Sequence, residues 1–102
     1  MQIRADKRGK ILYVRLHGEI DEHNATLARK TADKLAEEFF DGERAVFDLS
    51  GVSFMDSTGI GFLIGRYKKF KSFGIPVYLT NASQSTDKIL SMSGIYTLMP
   101  RV

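Results

Sequence analysis

Cysteine is absent from this chain of 102 residues, so a disulfide framework, a thiolate-held zinc or iron–sulfur centre and a thiol nucleophile are all excluded. Histidine is scarce: His17 and His23 are the only two imidazoles, and their separation, with Gly18 between them, matches no zinc-binding spacing. Both read as ordinary surface or strand residues, and neither a metal nor a cofactor is expected. No stretch approaches the ~18 consecutive apolar residues of a membrane span. The opening Met1-Gln2-Ile3-Arg4-Ala5-Asp6 carries charges where a signal peptide needs an apolar run. A one-sided charge is missing too. Fifteen Lys+Arg against 12 Asp+Glu leave +3, which indicates neither duplex DNA nor an anionic membrane as partner. What is present is an ordinary globular composition, 43% hydrophobic, at a length that fits one domain. The expectation is a soluble cytoplasmic protein held together by packing alone.

Periodicity gives the organisation. Ile3 and Ala5, then Leu12, Val14 and Leu16, alternate with polar positions around Lys7-Arg8-Gly9-Lys10, which predicts a hairpin. Ala25, Ala28, Ala32, Leu35, Ala36 and Phe39 recur at helical spacing, with Asn24 placed to cap the start and Gly42 the end. The short apolar run 45–49 predicts a central strand covered on both faces. Ile60, Leu63, Ile64, Tyr67 and Phe70 form the stripe of a second helix, stopped by Gly74, with Arg66, Lys68, Lys69 and Lys71 off it as a solvated face. Phe62 also falls outside the stripe, which predicts an exposed aromatic suited to contacting a partner. A strand at 76–80, a helix over 85–92 ended by Gly94, and a last strand at 95–99 complete the pattern. The order predicts an α/β fold with a mixed sheet, an initial hairpin and βαβ crossovers.

Chemistry concentrates at Asp56-Ser57-Thr58-Gly59-Ile60-Gly61, between a strand end and a helix start, where α/β proteins build sites and where free N–H groups suit a phosphate. Two readings stay open: Asp56 or Ser57 is simply a helix cap, or Ser57 is modified. Glycines in the first turns need a reason, such as close packing or close approach by another molecule. Enzyme motifs fail on spacing. Gly59-Ile60-Gly61 continues to Gly65 with one residue too many for a dinucleotide loop, and neither a P-loop nor a G-x-S-x-G elbow occurs. Asp48 is the rival site, a strand-end carboxylate of the kind that accepts a phosphoryl group, but it lacks an acidic cluster to hold a metal. Its plainer role is to accept hydrogen bonds from nearby backbone. A small phosphoryl-transfer or nucleotide-binding domain is the alternative function.

The residues also carry a resemblance. Phe47-Asp48-Leu49-Ser50 and then Val52-Ser53-Phe54-Met55-Asp56-Ser57-Thr58-Gly59-Ile60-Gly61 resemble the signature of the STAS domain of bacterial anti-sigma factor antagonists. The likeness begins at Gly18-Glu19-Ile20-Asp21, continues through Gly65-Arg66-Tyr67-Lys68 and Met92-Ser93-Gly94-Ile95, and spans nearly the whole chain. It is strongest to the family's sporulation branch, which serves sigma F. The resemblance implies a STAS-type fold over residues 1–102 and a binding protein rather than an enzyme. In such a protein the unphosphorylated form binds an anti-sigma factor that is a serine kinase, freeing the sigma factor. The kinase then phosphorylates one serine and releases its ligand, and a serine phosphatase reverses the mark. By position in the motif that serine is Ser57. The implied docking surface joins Asp56, Ser57, Thr58, Gly59, Ile60, Gly61 and Phe62 with the loop of Glu19, Asp21 and Asn24. A free monomer, with no cofactor and no direct contact with nucleic acid, is expected. Relatives usually carry another helix after the last strand, so the resemblance implies a domain shortened at its C-terminus, with one sheet face less covered.

Overall fold

A hairpin opens the chain: β1 (Gln2–Arg8) and β2 (Ile11–Glu19) pair antiparallel across a two-residue turn in which Gly9 takes φ 60°, a conformation that favours glycine. The computed structural model describes every residue, Met1–Val102. Helix α1 (Ala25–Glu38) leads to β3 (Arg44–Phe54), α2 (Ser57–Lys71) to β4 (Val77–Thr80), and α3 (Gln84–Ser93) to a 3₁₀ turn (Ile95–Thr97). The sheet order is β1-β2-β3-β4, with β2, β3 and β4 mutually parallel. Both parallel crossovers therefore run in the same direction across the sheet, and right-handed connections of that kind put their helices on one face.

That face holds the core. Leu12, Val14 and Leu16 of β2, Ala45, Phe47 and Leu49 of β3, and Val77 and Leu79 of β4 are all buried. Helix α1 approaches closely because its inward residues, Ala28, Ala32 and Ala36, are small. Phe47 meets Phe70 of α2 edge to face at 5.9 Å between centroids. The opposite face is open. Strand β3 is thus covered on one side only, contrary to the reading of its apolar run. Val46, whose register partners on that open face are Tyr13 and Tyr78, is buried between them, which made the run look continuous.

Four further expectations need correction. The predicted strand at 95–99 is the 3₁₀ turn: Ile95 and Met99 are buried but Thr97 between them is exposed, which breaks a strand alternation, and the N–H groups of Leu98 and Met99 both donate to Ile95 O at 2.9 Å. Sheet pairing is deferred to the tail: Leu79 N–H donates to Pro100 O at 3.0 Å and Val102 N–H to Leu79 O at 2.9 Å. Gly42 does not cap α1 in a left-handed conformation. It is needed because a Cβ there would run into the Phe39 ring. Asn24 sits at the N-cap position but makes no capping hydrogen bond through its side chain. Helix α2, finally, is rotated relative to its predicted stripe. Gly59, Phe62, Leu63, Arg66 and Phe70 are buried, whereas Ile60, Ile64 and Tyr67 are only half-buried at its flank.

The tail is fastened through α3. Tyr96 donates its hydroxyl proton to Asp87 Oδ1 at 2.6 Å, and Arg101 Nη1 donates to the same oxygen at 2.8 Å. Burial, then the bond to Asp87, pushes the Tyr96 phenol up to about 12. A folded value above the unfolded one of about 10 means stability that is complete below pH 10 and lost as pH rises through 12. Urea melts from pH 8 to 12 will show the wild type losing its advantage over Tyr96→Phe in that window. A constant difference would assign the effect to packing instead.

Candidate functional site

At the carboxyl ends of β2 and β3 two loops come together. Glu19 is the register partner of Phe54, after a bulge at Gly18, whose φ of 100° suits glycine. The loop after Glu19 is knotted internally. Asp21 Oδ1 accepts from the N–H groups of His23 (2.9 Å) and Asn24 (3.0 Å), which closes the turn just before α1 without capping the helix itself. Asn24 spends both ends of its amide on the turn, accepting from Asp21 N–H at 3.1 Å and donating to Glu19 O at 3.0 Å. Asp21 and Asn24 therefore fix the loop, while the Glu19 side chain is exposed at its edge.

On the β3 side, Asp56 settles one open choice. Its carboxylate accepts from Thr58 N–H at 2.9 Å, making it the N-cap of α2. Ser57 is relieved of that duty and stands exposed as the first residue of the helix. Gly59 is needed for packing, since a Cβ would lie 2.7 Å from Met55 Cγ, whereas Gly61 faces open space. Between the starts of α1 and α2 lies a groove of about 400 Å³, with Glu22, Thr26 and Arg29 on one bank and Ser57, Thr58 and Gly61 on the other.

Phe62 is not the exposed aromatic that its position outside the stripe implied. It is 3% exposed, under Arg66, whose guanidinium carbon lies 5.1 Å from its ring centroid. The cause is a polar contact between helices. Arg66 is itself buried and reaches Asp33 of α1, with Nε 2.8 Å from Oδ1. The N–H is poorly aligned with that oxygen, so the contact is an ion pair more than a hydrogen bond. Burial pulls the Arg66 guanidinium below its ordinary value, with Asp33 opposing. The large exposed aromatic beside the motif is instead Phe54, 51% exposed. The signal that would have found it is its place at a strand end, beyond the last inward-facing residue Val52, rather than any helical phase.

Asp48 faces the open side of the sheet, away from the helices. Its Oδ1 accepts from Ser50 N–H at 2.9 Å and its Oδ2 lies 3.3 Å from Arg15 Nη2. Partial burial would raise its pKa, but hydrogen bonds from Ser50 and Asn81, with the charge of Arg15, lower it overall. This is the plainer of the two roles foreseen for Asp48, a strand-end carboxylate held by backbone.

Comparison with known proteins converges on one family. An anti-sigma F factor antagonist from Paenibacillus polymyxa is 32% identical over 98% of this chain and 85% of its own length. An anti-sigma-B factor antagonist from Bacillus subtilis is 33% identical over 82% of this chain and 74% of its own. Among solved structures, the anti-sigma factor antagonist SpoIIAA in its unphosphorylated form superposes with a TM-score of 0.77 at 24% identity, covering 99% of this chain and 88% of that one, a likeness of fold. Both the mixed sheet with its one-sided helices and the capped Asp56-Ser57 turn fall inside residues 2–101, which match the STAS domain model, and the chain belongs to the STAS domain family.

Proposed function

We propose that this protein is an anti-sigma factor antagonist that docks through the end of the sheet bearing Glu19, Phe54 and the start of α2, and that phosphorylation of Ser57 switches docking off. The observation that carries the reading is the division of labour at α2. Asp56 caps the helix, leaving Ser57 exposed at a helix start with no structural task assigned to it. The relatives supply the class of partner, being antagonists of anti-sigma factors. The partner we assign is an anti-sigma factor that is also a serine kinase, with a serine phosphatase restoring the active form. The sigma factor served is of the sporulation, sigma-F class.

Of the docking residues, Asp56, Ser57, Gly61 and Glu19 are exposed, while Thr58 and Ile60 are half-buried and Gly59 buried. Asp21 and Asn24 hold the loop in shape, and Phe62 forms a wall of the groove from beneath. Phosphate adds about −1.5 to −2 charges at Ser57. Asp56 adjoins it, Glu22 lines the same groove, and Glu19 and Asp21 lie on the loop at this end of the sheet. Arg29 is the one cation lining the groove, so the modified surface gains net negative charge and bulk where a partner must pack.

Incubation with ATP and the host anti-sigma factor kinase, read by intact-mass spectrometry, tests the assignment. The wild type is expected to gain one phosphate and Ser57→Ala none. Phosphate on both proteins would move the site elsewhere.

A further inference from the structure

The open sheet face carries a second depression, which shares no lining residue with the Ser57 groove and is independent of the reading above. It is a shallow cleft of about 880 Å³, within the 300–1,000 Å³ typical of small-molecule sites. Strand register arranges its floor in three rows. Tyr13, Val46 and Tyr78 are neighbours across β2, β3 and β4 and make an apolar shelf, with Val46 buried between two half-buried tyrosines. On one side runs the row Arg4, Arg15, Asp48, and on the other Arg8 and Arg44 flank Ile11.

Two observations set this face apart from an ordinary solvated one. Arg4 and Arg15 are direct cross-strand partners, and like charges directly opposite destabilise a sheet. The carboxylates on the face relieve only one of the two. Asp6 is taken by Arg8 at 2.8 Å and Asp48 by Arg15 at 3.3 Å, so Arg4 and Arg44 have no counter-ion. At the rim, just after β4, Asn81 is held at φ 60°, the chain's one non-glycine residue in the left-handed region. Backbone held in such regions clusters at functional sites.

We infer that this face binds an aromatic phosphate monoester, its ring on the Tyr13–Tyr78 shelf and its phosphate between Arg4 and Arg15. Guanidinium groups donate in a planar fork that matches phosphate oxygens; Arg4 offers a free fork, and Arg15 offers the donors that its contact with Asp48 leaves over. The repulsion that weakens the empty face becomes attraction to a common ligand. The apolar shelf accounts for the ring, which inorganic phosphate lacks.

Phenyl phosphate titrated into the full chain at pH 8, followed by NMR, is the direct test, with phenol and inorganic phosphate as parallel arms. Saturable shifts are expected at Tyr13, Tyr78, Arg4 and Arg15, at concentrations about tenfold below those either arm requires. Arg4→Gln is expected to weaken binding about tenfold and, by removing the like-charge pair, to raise the melting temperature of the free protein. Opposite signs on binding and stability mark a face kept for a ligand. Shifts centred on the Ser57 groove, no saturation, equal binding of inorganic phosphate, or an Arg4→Gln variant that binds as well as wild type or melts lower would each overturn the inference.

Discussion

Stoichiometric phosphorylation of Ser57 is expected to weaken binding to the anti-sigma factor by a factor on the order of 10⁴, with the fold unchanged. A swing from 99:1 bound to 1:99 requires about 5.5 kcal/mol of differential affinity, and the charge arrangement at this end of the molecule is suited to supply it. Docking would desolvate a phosphate dianion that has Asp56 beside it and both Glu22 and Arg29 across the groove; a single cation leaves the cluster net negative, and incompletely paired buried charge is among the costliest things an interface can hold. In the free protein the same phosphate sits in water at the positive end of α2, where it does no harm. Isothermal titration calorimetry of wild type, phospho-protein and Ser57→Ala, with backbone NMR spectra to confirm the fold, gives the comparison. Ser57→Ala should bind within about 1 kcal/mol of wild type, since an exposed hydroxyl is all that is lost. Phe54→Ala should cost about 1–3 kcal/mol in either background, as an aromatic anchor does. A phospho-protein that binds within tenfold of wild type would sink the switch.

Much of this was legible from residue spacing, and what was not has specific physical causes. The hairpin, α1, α2, α3 and the parallel strands follow from periods of two and 3.6 residues with glycines at the stops. Ile95 and Met99 misled because a short apolar run suits a strand or a single helical turn equally, and only the exposure of Thr97 between the two buried residues decides it. Phe62 and Arg66 misled because periodicity places charge on the outside. It cannot see that Asp33, on another helix, offers Arg66 a partner and so turns α2 toward α1. The candidate turn at 56–61 was visible as a break in pattern, yet whether Asp56 or Ser57 caps depends on backbone geometry that both residue types allow. The arginines of the open face alternate as solvent-facing residues do. Their opposition across β1 and β2 becomes visible only once the register is known.

Asp33→Ala is expected to destabilise the domain by about 2–3 kcal/mol, and Arg66→Met to cost less than half as much. The asymmetry follows from burial. Arg66 has a side chain only 6% exposed, whereas Asp33 keeps 32% of its own in solvent. Removing Asp33 leaves a guanidinium between two helices with no counter-ion, the situation that typically costs 3–5 kcal/mol when both groups are fully buried. Partial exposure of the vacated position lets water relieve part of that. Removing the arginine instead leaves a carboxylate that can turn to solvent, while methionine fills most of the volume and keeps a favourable contact with the Phe62 ring. The cation–π contact is lost, at about 0.5–2 kcal/mol. With both changes the penalty of the unpaired charge vanishes, so the double variant should be more stable than Asp33→Ala alone, a coupling of 1–2 kcal/mol on the order usual for contacting residues. For a domain of this size 1 kcal/mol moves the midpoint by roughly 4–8 °C, so thermal melts resolve all three variants. An Asp33→Ala protein no less stable than Arg66→Met would mean that the pair is a surface contact and that α2 owes its rotation to Phe62 alone. The pair also links stability to docking, because Asp33 lies on α1 and Arg66 on α2, the two helices whose first turns form the banks of the Ser57 groove. Loosening it should lower partner affinity without touching any residue of the docking end.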